Sequence, residues 1–247
     1  MDLATVDHLL TTTHTVRKRL DFSRPVNPEV IMRCIEIGLH APSGGNYQGW
    51  HFIVVTDPDK RQALGDLYRK GYDMWKDFNL RNATAALPKS YDEGSVDETQ
   101  RKHMMSDSDY LRDHIHEAPV HIIACIESER AASHIGGEAP TGTPESSPMY
   151  SGSTFPSFHT ASLYGSILPS VWSIMLALRS RGLGAAWTTA HLVVEGEASK
   201  LFGVPSHVSQ VALLPVAYFK GEDFKIAKRH PVEVVTHLNE WKTHFTH

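Results

Sequence analysis

The chain has 247 residues, 41% of them hydrophobic, enough to bury one sizeable core, with or without an appended lid. Its formal net charge of −4, with basic residues scattered except for a cluster near each end, gives no electrostatic case for a nucleic-acid partner. The two cysteines, Cys34 and Cys125, each lie in an apolar run, which excludes a disulfide framework or a four-sulfur metal site within one chain. The absence of about 18 consecutive apolar residues and of a basic leader predicts a cytoplasmic protein with no membrane span.

Leu3, Val6, Leu9 and Leu10 recur at helical spacing and predict a helix over residues 2–13, whose end presents His14-Thr15-Val16-Arg17-Lys18-Arg19. Asn27 is a good N-cap and Pro28 suits a first helical position. Ile31, Cys34, Ile35 and Leu39 then form an apolar stripe that runs to a stop at Pro42. Between that helix and the strand-like residues 51–55 lies Ala41-Pro42-Ser43-Gly44-Gly45-Asn46-Tyr47-Gln48-Gly49-Trp50. Its glycines let backbone N–H groups approach a ligand, and Ser43, Asn46 and Gln48 offer donors and acceptors along one edge of a flat heterocycle. An ordinary turn explains the same composition about as well when the loop is taken alone.

Asp57-Pro58 opens a third helix that continues through Ala63, Leu64, Leu67 and Tyr68. Residues 71–116 mix aromatic and charged side chains and read as a candidate lid or an exposed helical hairpin. Residues 119–126 form a compact apolar run expected in the middle of a sheet. Residues 131–158, rich in Gly, Pro, Ser and Thr, predict an irregular loop. A helix is expected over 160–181, weakened at Gly165 and Pro169 and closed by Gly182 in a left-handed cap. Strand over 187–189, a short helix over 195–202 and a long strand over 208–219, interrupted by Pro215, follow. A last helix over 232–241 comes after Lys228-Arg229-His230-Pro231. Alone, Arg17 and Arg229 are more often solvated arginines, and Trp50 and Trp187 more often core.

The alternation of elements lacks a parallel βαβ rhythm, and Gly182-Leu183-Gly184 follows a helix where a dinucleotide fingerprint would open one, so an α+β sandwich is expected. The 16 histidines are densest at His114, His116 and His121, but no His-Glu-x-x-His or Cys-x-x-Cys pair supports a metal site. No Gly-x-Ser-x-Gly elbow supports a hydrolase.

In chain order, four segments resemble the flavin-dependent nitroreductase family. His14-Thr15-Val16-Arg17 is similar to its N-terminal phosphate motif and the Ala41-to-Trp50 loop to its Ala-Pro-Ser-x-x-Asn-x-Gln-Pro-Trp loop. Arg181-Gly182-Leu183-Gly184-Ala185-Ala186-Trp187 is similar to its Gly-Leu-Gly-x-x-Trp segment, and Arg229-x-Pro231 to its C-terminal phosphate arginine. The resemblance implies a three-layer sandwich with a mostly antiparallel sheet, one FMN-binding domain over 1–247, and a domain-swapped homodimer with FMN at the interface. The 160–181 helix would lie in that interface or in an ordinary core.

It further implies an FMN-dependent oxidoreductase that uses NADH or NADPH to reduce nitroaromatic, quinone or activated-alkene acceptors. The alternatives are reductive dehalogenation, dimethylbenzimidazole-synthase-like flavin fragmentation, a flavin-binding protein without turnover, or a cofactor-free interaction module. The flavin carries the chemistry. By resemblance His14, Thr15, Arg17 and Arg229 hold the phosphate, Pro42, Ser43, Gly44, Asn46 and Gln48 border the ring and ribityl chain, and a backbone N–H of Gly184 or Ala185 donates to the central ring. Two departures stand out. Thr13 occupies a position where relatives often carry an arginine, for which Arg19 or Lys228 would compensate, and Gly49 replaces a proline, which is expected to loosen the loop.

Overall fold

The computed structural model describes residues 2–81, 98–127, 155–227 and 229–243. Helix α1 (Leu3–Thr12) starts at Asp2, whose carboxylate accepts the Ala4 and Thr5 N–H groups, each at 3.3 Å. Helix α2 (Pro28–Gly38) starts as its sequence predicts: the Asn27 side-chain oxygen accepts the Glu29 N–H at 2.9 Å, with Pro28 in the first turn. Strand β1 (Leu20–Asp21) precedes α2, and β2 (Trp50–Val55) follows the loop after it.

Helix α3 (Pro58–Arg81) is longer than its apolar stripe announces, and α4 (Glu98–His114) faces it, so much of the expected lid is two helices, with 82–97 outside the described residues. After β3 (Val120–Glu127), residues 128–154, with most of the expected irregular loop (131–158), lie outside the described residues. Its last four residues already belong to α5 (Phe155–Arg179). Then come β4 (Leu183–Ala185), α6 (Glu195–Phe202), β5 (Val208–Phe219) and α7 (Val232–Val235).

The sheet runs in the order β1-β5-β3-β2, with β4 also on β5, and every pairing is antiparallel. Successive β3 side chains serve two cores. Ile122, Ala124 and Ile126 meet α2 and α5 through Ile31, Cys34, Ile167, Val171 and Ile174. Ile123 and Cys125 meet α3 and α4 through Leu64, Tyr68 and Leu111. The result is the expected α+β sandwich of three layers. Both cysteines are buried free thiols. The stretch Thr160–Arg179 is long and apolar enough to cross a membrane, with a mean hydropathy of 1.5; its C-terminal half packs in the first of these cores.

Several local expectations need correction. Residues 187–189 are not a strand: β4 ends at Ala185, and only Thr188 bridges to Leu213. Pro215 does not interrupt β5. Ala186 donates to the Pro215 oxygen at 3.3 Å, so the return bond that proline cannot make falls where β4 has already ended. The last helix spans four residues instead of ten. Gly182 does take the left-handed conformation, with φ of 74°.

Candidate functional site

The segment after α1 leads into a concentration of positive charge. The His14 ring packs edge-on against Phe224 at 4.9 Å between centroids. Burial, followed by the fields of Arg229, Arg179, Arg19 and Arg17, lowers its pKa, so the imidazole is held neutral among four guanidinium groups. Two of those arginines are tied into the fold. Arg19 donates through Nε to the Lys220 carbonyl at 2.9 Å, and through its other nitrogens to the carbonyls of Glu222 and Asp223, with its guanidinium 4.0 Å from the centre of the Phe224 ring. Arg179 pairs with Asp223 and lies over Phe219 and Phe224. Arg19 is thus a turn-organising residue, and Lys228 lies outside the described residues.

Arg17 differs. It is half-buried, its guanidinium has no hydrogen-bond or ion-pair partner among the described residues, and it reaches a cavity of about 200 Å³ walled by Tyr68, Tyr72, Trp75, Thr188 and Thr189. Both phenols are anchored by hydrogen bonds. Tyr68 shares a 3.0 Å hydrogen bond with the Thr188 hydroxyl, and Tyr72 donates at 2.9 Å to Asp109, which also receives Lys76 at 2.7 Å. Burial, reinforced by Asp109, pushes the Tyr72 phenol up, so it remains a donor. Lys18 ties α4 to the same wall through Ser106 at 2.9 Å and Asp107 at 2.8 Å. Among the described residues no carboxylate lines the cavity. Thr15 accepts the Trp187 N–H at 3.4 Å, a contact that holds the His14 segment against the Thr188 segment.

The 41–50 loop is built locally. Gly44–Asn46 form one 3-10 turn in which Gly45 and Asn46 take φ of 59° and 57°, a left-handed pair for which these residue types are suited. Gly44 donates its N–H to Ser166 Oγ at 2.9 Å, and Ser166 donates to the Ser162 carbonyl at 2.7 Å, which fastens the turn to α5. The Ser43 hydroxyl is buried with no partner among the described residues. Gln48 donates to the Asn46 side-chain oxygen at 3.3 Å. Pro42, Ser43, Asn46 and Gln48 line a second cavity, of about 560 Å³, beside Glu36 and His40. Among the described residues the two cavities share no lining residue, so there the Arg17 site and the loop are separate.

The loop is also less loose than its glycine predicts. Gly49 is buried, and its carbonyl accepts the Glu127 N–H at 2.8 Å. A Cβ on Gly49 would lie 2.5 Å from Cε1 of the Tyr47 ring. The Tyr47 hydroxyl donates to Glu127, and His51 approaches the same carboxylate at 3.3 Å; these two contacts hold the Glu127 carboxyl below its usual range.

Gly184 and Ala185 lie buried in β4, opposite Ala217 and Val216, and neither lines the Arg17 cavity. A Cβ on Gly184 would sit 3.2 Å from Val16 and from Leu20, and Ala185 accepts the Val16 N–H at 2.9 Å. The glycine admits the N-terminal segment. Ser108, Thr188, Thr189 and Ser166 escaped the sequence reading of the site, while Tyr72 and Trp75 entered it only among the aromatic residues of the candidate lid. Tyr68, Tyr72 and Trp75 carried a usable signal, one helical face of aromatics, hidden among charges; nothing in the sequence marks Ser166. Among the described residues no group of His, Cys, Asp and Glu is placed to hold a metal, and His114 instead pairs with Glu117 at 2.5 Å.

Known proteins resemble the chain in sequence and in fold. A curated relative from Archaeoglobus fulgidus, named as an NADH dehydrogenase/NAD(P)H nitroreductase, is 33% identical over 69 residues, 28% of this chain and 36% of that protein, so the match spans about a third of the relative's length. Among solved structures, a BluB-like flavoprotein from Clostridium difficile 630 superposes with a TM-score of 0.65 at 16% identity, covering 97% of this chain and all of that one. Nitroreductase A from Vibrio parahaemolyticus gives 0.60 at 17% identity, over 98% and 78% of the two chains. An iodotyrosine deiodinase bound to FMN and 3-iodo-L-tyrosine gives 0.56 at 19% identity, over 97% of each chain. These likenesses establish the fold. The nitroreductase family model matches residues 10–218, most of the chain, and the protein belongs to the nitroreductase family.

Proposed function

We propose that the protein is an FMN-dependent oxidoreductase that draws hydride from NADH or NADPH and delivers electrons to a nitroaromatic, quinone or activated-alkene acceptor. The observation that carries this reading is the junction at Arg17, where a field of four arginines around His14 meets an aromatic cavity that, among the described residues, has no carboxylate in its wall. A phosphate monoester with about two negative charges suits the first, and a flat conjugated ring suits the second. Bound FMN would supply the hydride and electron chemistry.

In this reading His14, Thr15, Arg17 and Arg229 hold the phosphate end, with Arg17 also reaching the ring. Arg19 and Arg179 strengthen the field from positions fixed by the 220–224 turn. Pro42, Ser43, Gly44, Asn46 and Gln48 border the ring and ribityl chain, and the unpartnered Ser43 hydroxyl fits a polar ligand. Gly184 and Ala185 act by seating Val16, which aims the segment carrying Arg17. From the described parts of the expected lid, Tyr72, Trp75 and Ser108 line the cavity.

One chain keeps the Arg17 cavity and the 42–48 loop apart, so the reading requires two copies, each completing the other's site. Val232, Val235 and Trp241, exposed at 65%, 61% and 80%, supply apolar surface for a partner copy to cover. The test is the visible spectrum of the purified protein, followed anaerobically after addition of NADH and then NADPH. A flavin spectrum that bleaches is expected. A spectrum that persists makes this a flavin-binding protein without that turnover, and no flavin after FMN addition overturns the reading.

A further inference from the structure

Gly49 stands where the family pattern has proline, and the structure shows a different device for holding the loop. The Tyr47 ring lies over Gly49 in space that any Cβ would claim, its nearest carbon 2.5 Å from that position. Its hydroxyl donates to the Glu127 carboxylate, and the backbone N–H of the same Glu127 donates to the Gly49 carbonyl at 2.8 Å. One residue at the end of β3 therefore grips the loop twice, by side chain at Tyr47 and by backbone at Gly49. The span enclosed is short, and it follows directly on the left-handed Asn46, whose side chain takes the Gln48 amide at 3.3 Å.

We propose that Tyr47, Gly49 and Glu127 form a clamp that sets the placement of the cofactor loop, making Tyr47 and Glu127 positioning residues for the ligand bound by Ser43, Asn46 and Gln48. Proline restricts a loop through its own φ. Here the restriction comes instead from a ring closed between the loop and β3, and the missing Cβ at Gly49 is the condition for closing it. The inference rests on the FMN reading for the identity of the ligand, and on the contacts alone for the clamp.

The experiment measures FMN affinity of the apo protein by reconstitution, thermal stability, and the separate kcat and KM of the holoenzyme. Tyr47→Phe and Glu127→Ala are each expected to weaken FMN about threefold to tenfold, the range for one lost hydrogen bond, and the double variant no more than either single one. Glu127→Gln, which still accepts from the phenol, restores most of the affinity. Gly49→Ala expels the ring and reproduces the Tyr47→Phe loss, yet has no added effect in a Tyr47→Ala background. Affinities equal to wild type in Tyr47→Phe and Glu127→Ala, or equal harm from Gly49→Ala with and without the ring, overturn the clamp. A stability loss that tracks the affinity loss across all variants makes the trio structural and also overturns it. A wild-type protein that binds no FMN overturns the functional reading instead. The clamp is then decided by hydrogen exchange at the Gly44 and Asn46 amides, which accelerates in Tyr47→Phe if the clamp exists and is unchanged if it does not.

Discussion

The Arg17 side of the molecule and the 41–50 loop are built in opposite ways. The first draws His14, Arg17, Arg19, Arg179, Phe224 and Arg229 from segments more than 200 residues apart, and most of its geometry comes from groups that bind each other instead of a ligand. The second is nearly all local: ten consecutive residues with a left-handed pair at Gly45 and Asn46, tied down at Ser166 and at Glu127. A site assembled from distant pieces depends on global stability, whereas a local loop can be perturbed while the rest of the fold stands.

Acid is expected to produce the largest difference between the two sides. His121 and His191 are fully buried in the α3 and α4 side of the sandwich, and burial lowers each to a pKa of about 4. Unfolded histidine titrates near pH 6.5, so between about 6.5 and 4 the unfolded chain binds more protons and stability falls as pH falls. Each histidine contributes up to about 3 kcal/mol over that window. Chemical denaturation at pH 7.5 and pH 4.5 should show this loss. His191, whose ring nitrogens have no partner among the described residues, gives the sharpest check: His191→Leu should flatten the acid limb, and an unchanged limb breaks the account.

Next in size are the arginines, which separate ligand binding from scaffold. Arg17→Ala and Arg229→Ala are each expected to weaken FMN by about 1.5–3 kcal/mol, the value of a charge-assisted hydrogen bond, measured by fluorescence titration, with the melting temperature of Arg17→Ala almost unmoved. Arg19→Ala should do the reverse, lowering stability by about 1–3 kcal/mol as three turn carbonyls lose their donor. If Arg17→Ala and Arg19→Ala behave alike, the division between them fails.

The loop should respond least to single changes. Ser166→Ala removes the acceptor of the Gly44 N–H and is expected to cost about 0.5–1.5 kcal/mol, visible as faster exchange of the Gly44 amide. Gly45→Ala meets no neighbour within 4 Å, so only the positive φ opposes it, at about 1–2 kcal/mol. A larger effect would mean that the loop is packed against something that its own chain does not supply.

Much of the fold could be read in advance because its signals are short-range. Asn27-Pro28 caps α2 through the Asn27 side chain, Gly182 turns the chain after α5, and residues 120–126 declare a central strand by an apolar run broken only at His121. Misreadings occurred where a long-range contact overrules local preference. Pro215 persists in β5 because β4 stops short of needing its N–H, and residues 187–189 remain outside the sheet except for the Thr188 bridge. The helical face of Tyr68, Tyr72 and Trp75 was legible as a pattern but not as a wall, since only packing against the Thr188 segment encloses it.

By itself the sequence determined the starts of the main helices and the two long strands and the α+β class, because caps, apolar periodicity and residue chemistry act within a few positions of the chain. Only the tertiary structure decided which arginines are tied to the scaffold, that Gly184 serves Val16 and Leu20, and that Gly49 exists to receive the Tyr47 ring. Those outcomes depend on which distant groups arrive within a few ångströms, and a residue's type does not record what will be packed against it.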